Sequence, residues 1–215
     1  IDRNILLETL QILSKAIPTR STLPIISCAL FTSKKEKLNI RTTDLDISIS
    51  LNCDVENIES GSIAIPMNKL LEITNAMPDG DINFSISDIG KVSINCDQGQ
   101  YTIMGQPSEE FPAPYTIKNG TKFSIGSSEL KNIIQNTTYA TSKDDLKPVL
   151  QGVLFQINED NLVSVATDGH RLVKFEKTGV QAPDYNGSVV VPTKFLSIIN
   201  NQLEDENKTT IVIGE

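Results

Sequence analysis

The 215-residue sequence contains no tryptophan, a single histidine and three cysteines. Cys28, Cys53 and Cys96 form no CxxC pair and their number is odd, so neither a zinc knuckle nor a disulfide framework is indicated. Each sits in a strand-like run (ISCAL, SLNCD, SINCD), which reads as reduced, part-buried thiols in a cytoplasmic protein. There is no P-loop, no GxGxxG and no HExxH, which removes the common phosphate-cradling and zinc-hydrolase signatures. No apolar run approaches the ~20 residues that a membrane-spanning helix needs. The chain opens Ile1-Asp2-Arg3, with neither an initiator methionine nor a signal peptide, and residue 1 is expected not to be the first residue of the gene product. Basic residues are also few: 19 against 27 acidic ones, a net charge of −8. That argues against a protein held on nucleic acid by net charge, though not against a local basic surface. The remaining composition, 39% hydrophobic and 21% charged, is that of an ordinary globular chain, long enough for one large or two small domains.

What the sequence does have is an internal repeat, the first thing to look for in a chain of this length. Leu6, Gln11, Ala16, Pro24, Leu30, Phe31, Thr43 and Asp44 recur 124 residues later as Leu130, Gln135, Ala140, Pro148, Leu154, Phe155, Thr167 and Asp168. Gly61, Ser62 and Pro66 recur 126 residues later as Gly187, Ser188 and Pro192. Runs that keep register and apolar pattern together point to two copies of one domain of about 120 residues. Ile1 then matches Ile125 and Ile213 matches Ile86, so the first copy is expected to lack its opening strand and the second its last part. The linker is expected in 113–120 (APYTIKNG).

Leu6, Leu10, Leu13 and Ile17 fall at helical spacing before Pro18, and a matching helix is expected from a Ser127/Ser128 cap. A second helix in each copy follows a proline, over 67–77 and 193–203. Most of the rest alternates apolar with polar, the period of half-buried antiparallel strand, with about eight short strands expected per copy. This predicts an α+β fold: tandem repeat domains, each with two helices packed on antiparallel sheets. The helical segments carry a net +4 and everything else −12. Exposed helix positions suit Lys and Arg anyway, so this division alone says nothing about nucleic acid.

The chemistry-bearing candidates are few. Asp168 and His170, in VATDGHRLVKF, can be written as an acid–base pair for a hydrolase, but spacing supplies no nucleophile or metal. The competing reading is a strand ending in a Thr-Asp turn, the Asp side chain capping backbone N–H groups. Thr43-Asp44 in the first copy fits that reading and has no histidine after it, so Gly-His-Arg-Leu is what the second copy adds. Asp44 and Asp46 lie two apart on a strand and lack a third acidic ligand at calcium-loop spacing; solvated strand is expected. Asp79-Gly80-Asp81 reads as a turn, and Met67, Met77 and Met104 as core. No catalytic residue, metal site or cofactor is expected.

TLPIISCALF, EEFPAP, ATDGHRL and VPTKFLSII, in this order and on a repeat of this length, resemble the bacterial sliding clamp family, the beta subunit of DNA polymerase III. The resemblance covers essentially the whole chain, and ATDGHRL is its most specific signature. It implies the DNA clamp fold: residues 1–115 as clamp domain 1 without its first strand, 120–215 as domain 2 truncated at its C-terminal end, and a third domain absent. The family is a non-catalytic DNA replication processivity factor. Two three-domain chains close head to tail into a homodimeric ring around double-stranded DNA, helices lining the hole and sheets forming the wall. A mildly basic lining attracts phosphate without reading sequence, and processivity is topological. The partners implied are double-stranded DNA, the DNA polymerase III catalytic subunit, the clamp loader, repair polymerases and mismatch-repair proteins, with no membrane.

The same resemblance assigns residues. Leu150, Thr167, Gly169, His170, Arg171 and Leu172 would form one wall of a pocket for a short linear peptide, typically a Gln followed by Leu and Phe. Leu150 and Leu172 would supply apolar area, His170 and Arg171 donors, and Gly169 close backbone approach. Arg20, Lys147 and Lys194 would face DNA, although a cation on a surface serves solubility as readily. Tyr101 and Ile103 would lie on the edge strand that meets the partner chain in the ring, and this chain alone is expected to be a monomer. Asp144 and Asp145, in SKDDLKPV, depart from the polar or aromatic residues that relatives present to DNA and imply weaker contact there. The rival reading is a tandem protein-interaction module that never encircles DNA.

Overall fold

The computed structural model describes residues 1–56, 59–158, 160–180 and 185–214, and the chain divides into two compact units, Ile1–Pro114 and Tyr115–Glu215. The first unit opens with helix α1 (Arg3–Leu13), capped by Asp2, whose carboxylate accepts from the backbone N–H of Asn4 and Ile5 at 2.8 and 3.1 Å. Leu6, Leu10 and Leu13 form its buried stripe, and each is 0% exposed. Burying a leucine fully contributes about 1.5–3 kcal/mol, so this stripe anchors the helix to its sheet. The helix tightens into a 3-10 turn at Ser14–Ala16, and Ile17 is extended, as the residue before Pro18 must be.

Four antiparallel strands follow: β1 (Cys28–Lys34), β2 (Lys37–Thr43), β3 (Ser48–Asp54) and β4 (Gly61–Pro66), in the order β3-β2-β1-β4. On β2, Leu38, Ile40 and Thr42 point inward, and the Thr42 hydroxyl donates to Leu13 O at 2.8 Å, satisfying one of the carbonyls left open at the end of α1. Arg41 points to the opposite face. Helix α2 (Met67–Ala76) starts directly after Pro66. Its last carbonyls are taken by Arg3, which donates from Nε to Thr74 O and from Nη2 to Asn75 O at 2.9 and 2.8 Å. One cation thus ties the start of one helix to the negative end of the other. A second sheet, β5 (Asn83–Ile86), β6 (Lys91–Cys96) and β7 (Gly99–Met104), contributes Val92, Ile94 and Ile103 to the core.

The second unit repeats this plan: β8 (Thr121–Gly126), α3 (Ser127–Thr137), β9 (Gly152–Asn158), β10 (Asn161–Thr167), β11 (Leu172–Thr178), β12 (Gly187–Pro192), α4 (Thr193–Asn200) and β13 (Lys208–Ile213). The first helix and first three sheet strands recur 124 residues on, residue for residue, and the sheet order β11-β10-β9-β12 is the same. Among the described residues the units have seven and six strands, not eight each. Ser127 is not a cap: Gly126 holds that position without a side-chain bond, and Ser127 Oγ is hydrogen-bonded to Thr209 Oγ1 on β13 at 2.8 Å. Helix α4 stops at Asn200, three residues before Leu203, which instead packs beside the core.

Two side-chain expectations are corrected. Met104 is 56% exposed on β7 rather than core, because Ile103 takes the inward position beside it. Asp44 and Asp46 sit in the turn between β2 and β3, not on a strand face.

Candidate functional site

The ATDGHRL segment is the turn from β10 to β11. Thr167 Oγ1 donates to Arg171 O at 2.7 Å and accepts from Gly169 N, while Asp168 Oδ1 accepts from the backbone N–H of His170 and Arg171 at 2.9 and 3.0 Å. The first unit builds the same turn: Thr43 Oγ1 donates to Ile47 O and accepts from Leu45 N, and Asp44 Oδ1 accepts from Asp46 N and Ile47 N. Thr-Asp is therefore the frame of the turn in both copies. The second copy changes what the frame displays.

What it displays is exposed. Leu172 is 68% exposed at the start of β11, and Gly169, His170 and Arg171 are exposed with it. Arg171 is not free to wander: its Nε donates to Asp168 Oδ2 at 3.0 Å, and its guanidinium lies 5.8 Å from the centre of the Tyr139 ring. The backbone N–H groups of Arg171 and His170, with the Arg171 charge, hold the Asp168 carboxyl down to about 2. Both Asp168 oxygens are engaged by backbone or by Arg171, and Asp168 does not orient the His170 ring.

Leu150 lies in a 3-10 turn at Pro148–Gln151 that leads into β9. Because Leu154 on β9 opposes Val165 on β10, the start of β9 and the end of β10 lie at one end of the sheet, which brings Leu150 to the end that carries the turn. Tyr139, 57% exposed, was not picked out from the sequence; an aromatic in the polar stretch NTTYATSK was the available signal.

Arg20, Lys147 and Lys194 are all exposed. Lys147 lies 4.0 Å from Asp144, a surface pair of little energetic weight. Thr193, the first residue of α4, donates to Gln151 O at 2.6 Å, so Lys194 and the 143–151 loop share one end of the second unit. That loop presents Leu146, 90% exposed, and Asp145 accepts from Gln151 Nε2 at 2.8 Å. Tyr101 and Ile103 do sit on an edge strand, β7, but the Ile103 side chain is buried in the first unit, leaving only its backbone at the edge. A cavity of about 590 Å³ lies elsewhere, beside β13, lined by Phe123, Phe155, Val191, Phe195, Leu203 and Ile211 among others; none of the six turn-and-wall residues lines it.

Among the described residues there is no cluster of metal-ligating side chains and no helix long and apolar enough to cross a membrane. The architecture defines the chain as a tandem α+β protein whose second copy carries an exposed turn at 167–172. The family model for the N-terminal domain of the DNA polymerase III beta subunit matches residues 1–115, and that for its central domain matches 124–215. The chain belongs to the DNA polymerase III beta subunit family. It is 29% identical to the beta sliding clamp of Pseudomonas aeruginosa over 218 residues, covering 100% of this chain and 59% of that protein. It is 26% identical to the beta sliding clamp of Treponema pallidum, covering 99% and 57%. The crystal structure of the DNA polymerase III subunit beta from P. aeruginosa superposes with a TM-score of 0.92 at 29% identity, again over 100% of this chain and 59% of that one. The chain thus spans less than two thirds of the relatives it matches.

Proposed function

We propose that this chain is part of a DNA replication processivity factor, a non-catalytic sliding clamp that encircles duplex DNA and tethers DNA polymerase III. The observation that carries this reading is the consecutive match of both clamp domains to the two repeated units. The turn at 167–172 serves as a peptide-docking wall: Leu172 and Leu150 offer apolar surface, the His170 and Arg171 side chains donors, and Gly169 a place for close approach. The DNA polymerase III catalytic subunit, the clamp loader, repair polymerases and mismatch-repair proteins are its proposed peptide-bearing partners. Arg20, Lys147 and Lys194 are proposed to meet phosphate, and the β7 edge at Tyr101 and Ile103 to meet the partner chain of a homodimeric ring in the cytoplasm. The acidic balance fits topological rather than electrostatic retention, because a closed ring need not bind DNA tightly.

The test uses the complete gene product loaded on nicked circular DNA. Retention that is lost when the circle is linearised supports the clamp. Equal retention on linear DNA refutes encirclement. Binding of a synthetic Gln-Leu-Phe peptide with no DNA retention leaves the tandem interaction module in its place.

A further inference from the structure

The two copies differ at a matched pair of positions. Arg171 replaces Ile47: each is the residue whose carbonyl accepts from the turn threonine, Thr167 or Thr43, at 2.7 and 3.0 Å. Tyr139 replaces Lys15: each is the middle residue of the 3-10 turn that follows the first helix, Thr138–Ala140 and Ser14–Ala16. In the first unit Ile47 is 7% exposed, so that turn closes on the core. In the second unit the position has left the core: the Arg171 side chain is 57% exposed, and Tyr139 beside it is 57% exposed.

Arg171 is held from two sides. Its Nε donates to Asp168 Oδ2 at 3.0 Å, and its guanidinium carbon lies 5.8 Å from the Tyr139 ring centre, within the ~6 Å reach of a cation–π contact. The ion pair engages Nε. Among the described residues neither Nη1 nor Nη2 makes a hydrogen bond, so both keep their N–H groups for a ligand. The ring itself has a fixed seat. Thr138 Oγ1 donates to Ile134 O and Thr141 Oγ1 to Thr138 O, both at 2.8 Å, and Thr193 Oγ1 on α4 donates to Thr141 Oγ1 at 3.0 Å. Three residues after Tyr139, Ser142 N donates to Leu150 O at 2.8 Å. The same stretch of chain therefore passes both Arg171 and Leu150, two of the residues proposed to form the wall.

We infer that Tyr139 is a positioning residue of the docking wall: its ring holds the Arg171 guanidinium in the orientation in which Nη1 and Nη2 donate to oxygen acceptors of a docked peptide. This rests on the peptide reading of the 167–172 turn. One hydrogen bond to Asp168 fixes the place of Nε but not the tilt of the guanidinium plane, and a flat ring against that plane fixes the tilt. An arginine ordered before binding loses less rotamer freedom when the peptide arrives, and the saving shows as affinity. The first unit has Lys15 and Ile47 at these positions and so offers no such donor pair.

The test titrates the complete gene product with a synthetic Gln-Leu-Phe peptide by calorimetry. Tyr139→Leu, which keeps apolar bulk but no ring face, should weaken binding by roughly three- to tenfold. Tyr139→Phe, which keeps the ring, should bind within about twofold of the parent. In an Arg171→Ala background, Tyr139→Leu should cost nothing further. Without peptide, the Arg171 Nε–Hε NMR signal should move in Tyr139→Leu and hold its place in Tyr139→Phe. A Tyr139→Leu loss of equal size with and without Arg171, a Phe variant as weak as the Leu variant, or an Nε–Hε signal indifferent to the ring overturns the role. Parent protein that ignores the peptide, while its Nε–Hε signal still answers to Tyr139→Leu, overturns the docking reading and the role that rests on it.

Discussion

Gly169→Leu separates what the 167–172 turn needs to fold from what it needs to bind. Gly169 has φ +92°, a conformation in which a side chain is strained. The first unit holds Leu45 at the matching position with φ +79°, in a turn with the same four kinds of hydrogen bond. A Cβ built on Gly169 meets nothing within 4 Å, so the replacement introduces no clash. Its cost is therefore backbone strain, about 1–2 kcal/mol for a non-glycine residue in the left-handed region. Against that stands a gain of about 0.4–1 kcal/mol from the stiffer unfolded chain. The net destabilisation should fall between about 0 and 1.5 kcal/mol by this arithmetic, read from urea unfolding followed by residue-resolved hydrogen exchange in the second unit. Binding of a Gln-Leu-Phe peptide should meanwhile weaken by about tenfold or more, because the leucine occupies the space above the turn. A loss of more than about 3 kcal/mol would mean that the two turns are not interchangeable and that the comparison with Leu45 fails. Unchanged binding would show that the glycine is a folding requirement alone.

Phe111→Ala should destabilise the first unit by about 3–5 kcal/mol, the range for deleting a buried aromatic, and leave exchange in the second unit unmoved. A change below about 1 kcal/mol would show that the sheet is not closed by the contact of Arg41 with the Phe111 ring, at 5.1 Å, and with Pro112 O, at 2.8 Å. The Asp168 carboxyl is held down from an ordinary 3.8 to about 2, so its stabilisation of the turn is complete above pH 3.8 and is lost as pH falls through about 2. Carboxyl chemical shifts titrated by NMR should show that midpoint, and a midpoint at the ordinary value would mean the turn is open in solution. The apolar cavity beside β13 should enhance the fluorescence of an anilinonaphthalene dye, and Phe195→Glu, at a 38% exposed rim position, should remove that signal with the fold intact.

The repeat was legible because both copies must bury the same stripe. Leu6 and Leu130, or Phe31 and Phe155, are constrained by a shared packing geometry, and period-two alternation gave the strands for the same reason. Element ends were less legible. Ser127 has the composition of a cap but spends its hydroxyl on Thr209, a partner 82 residues away that no local pattern reveals. Met104 looked apolar enough for the core, and only the register of β7 against β6 shows that Ile103 has the inward place. The turn stood out because the second copy departs from the first at Gly169, His170 and Arg171 while keeping Thr-Asp, but its reading as a pocket wall came from the family resemblance. Tyr139 escaped because its contact with Arg171 runs from the end of α3 to the β10–β11 turn, 32 residues on.

Each turn consists of a frame that both copies share and a few residues that they do not. Thr43 and Thr167, with Asp44 and Asp168, make identical backbone bonds and so carry no information about partners. Leu172 is exposed where the first copy has Ser48, and Val149 is exposed where the first copy buries Ile25 beneath Phe111. An exposed leucine or valine forgoes about 1.5–3 kcal/mol of burial, which a covering segment or a bound partner would recover. The two exposed apolar positions both lie at the end of the second sheet that carries the turn. The proposed peptide-docking role of the turn rests on these exposed apolar positions rather than on charge.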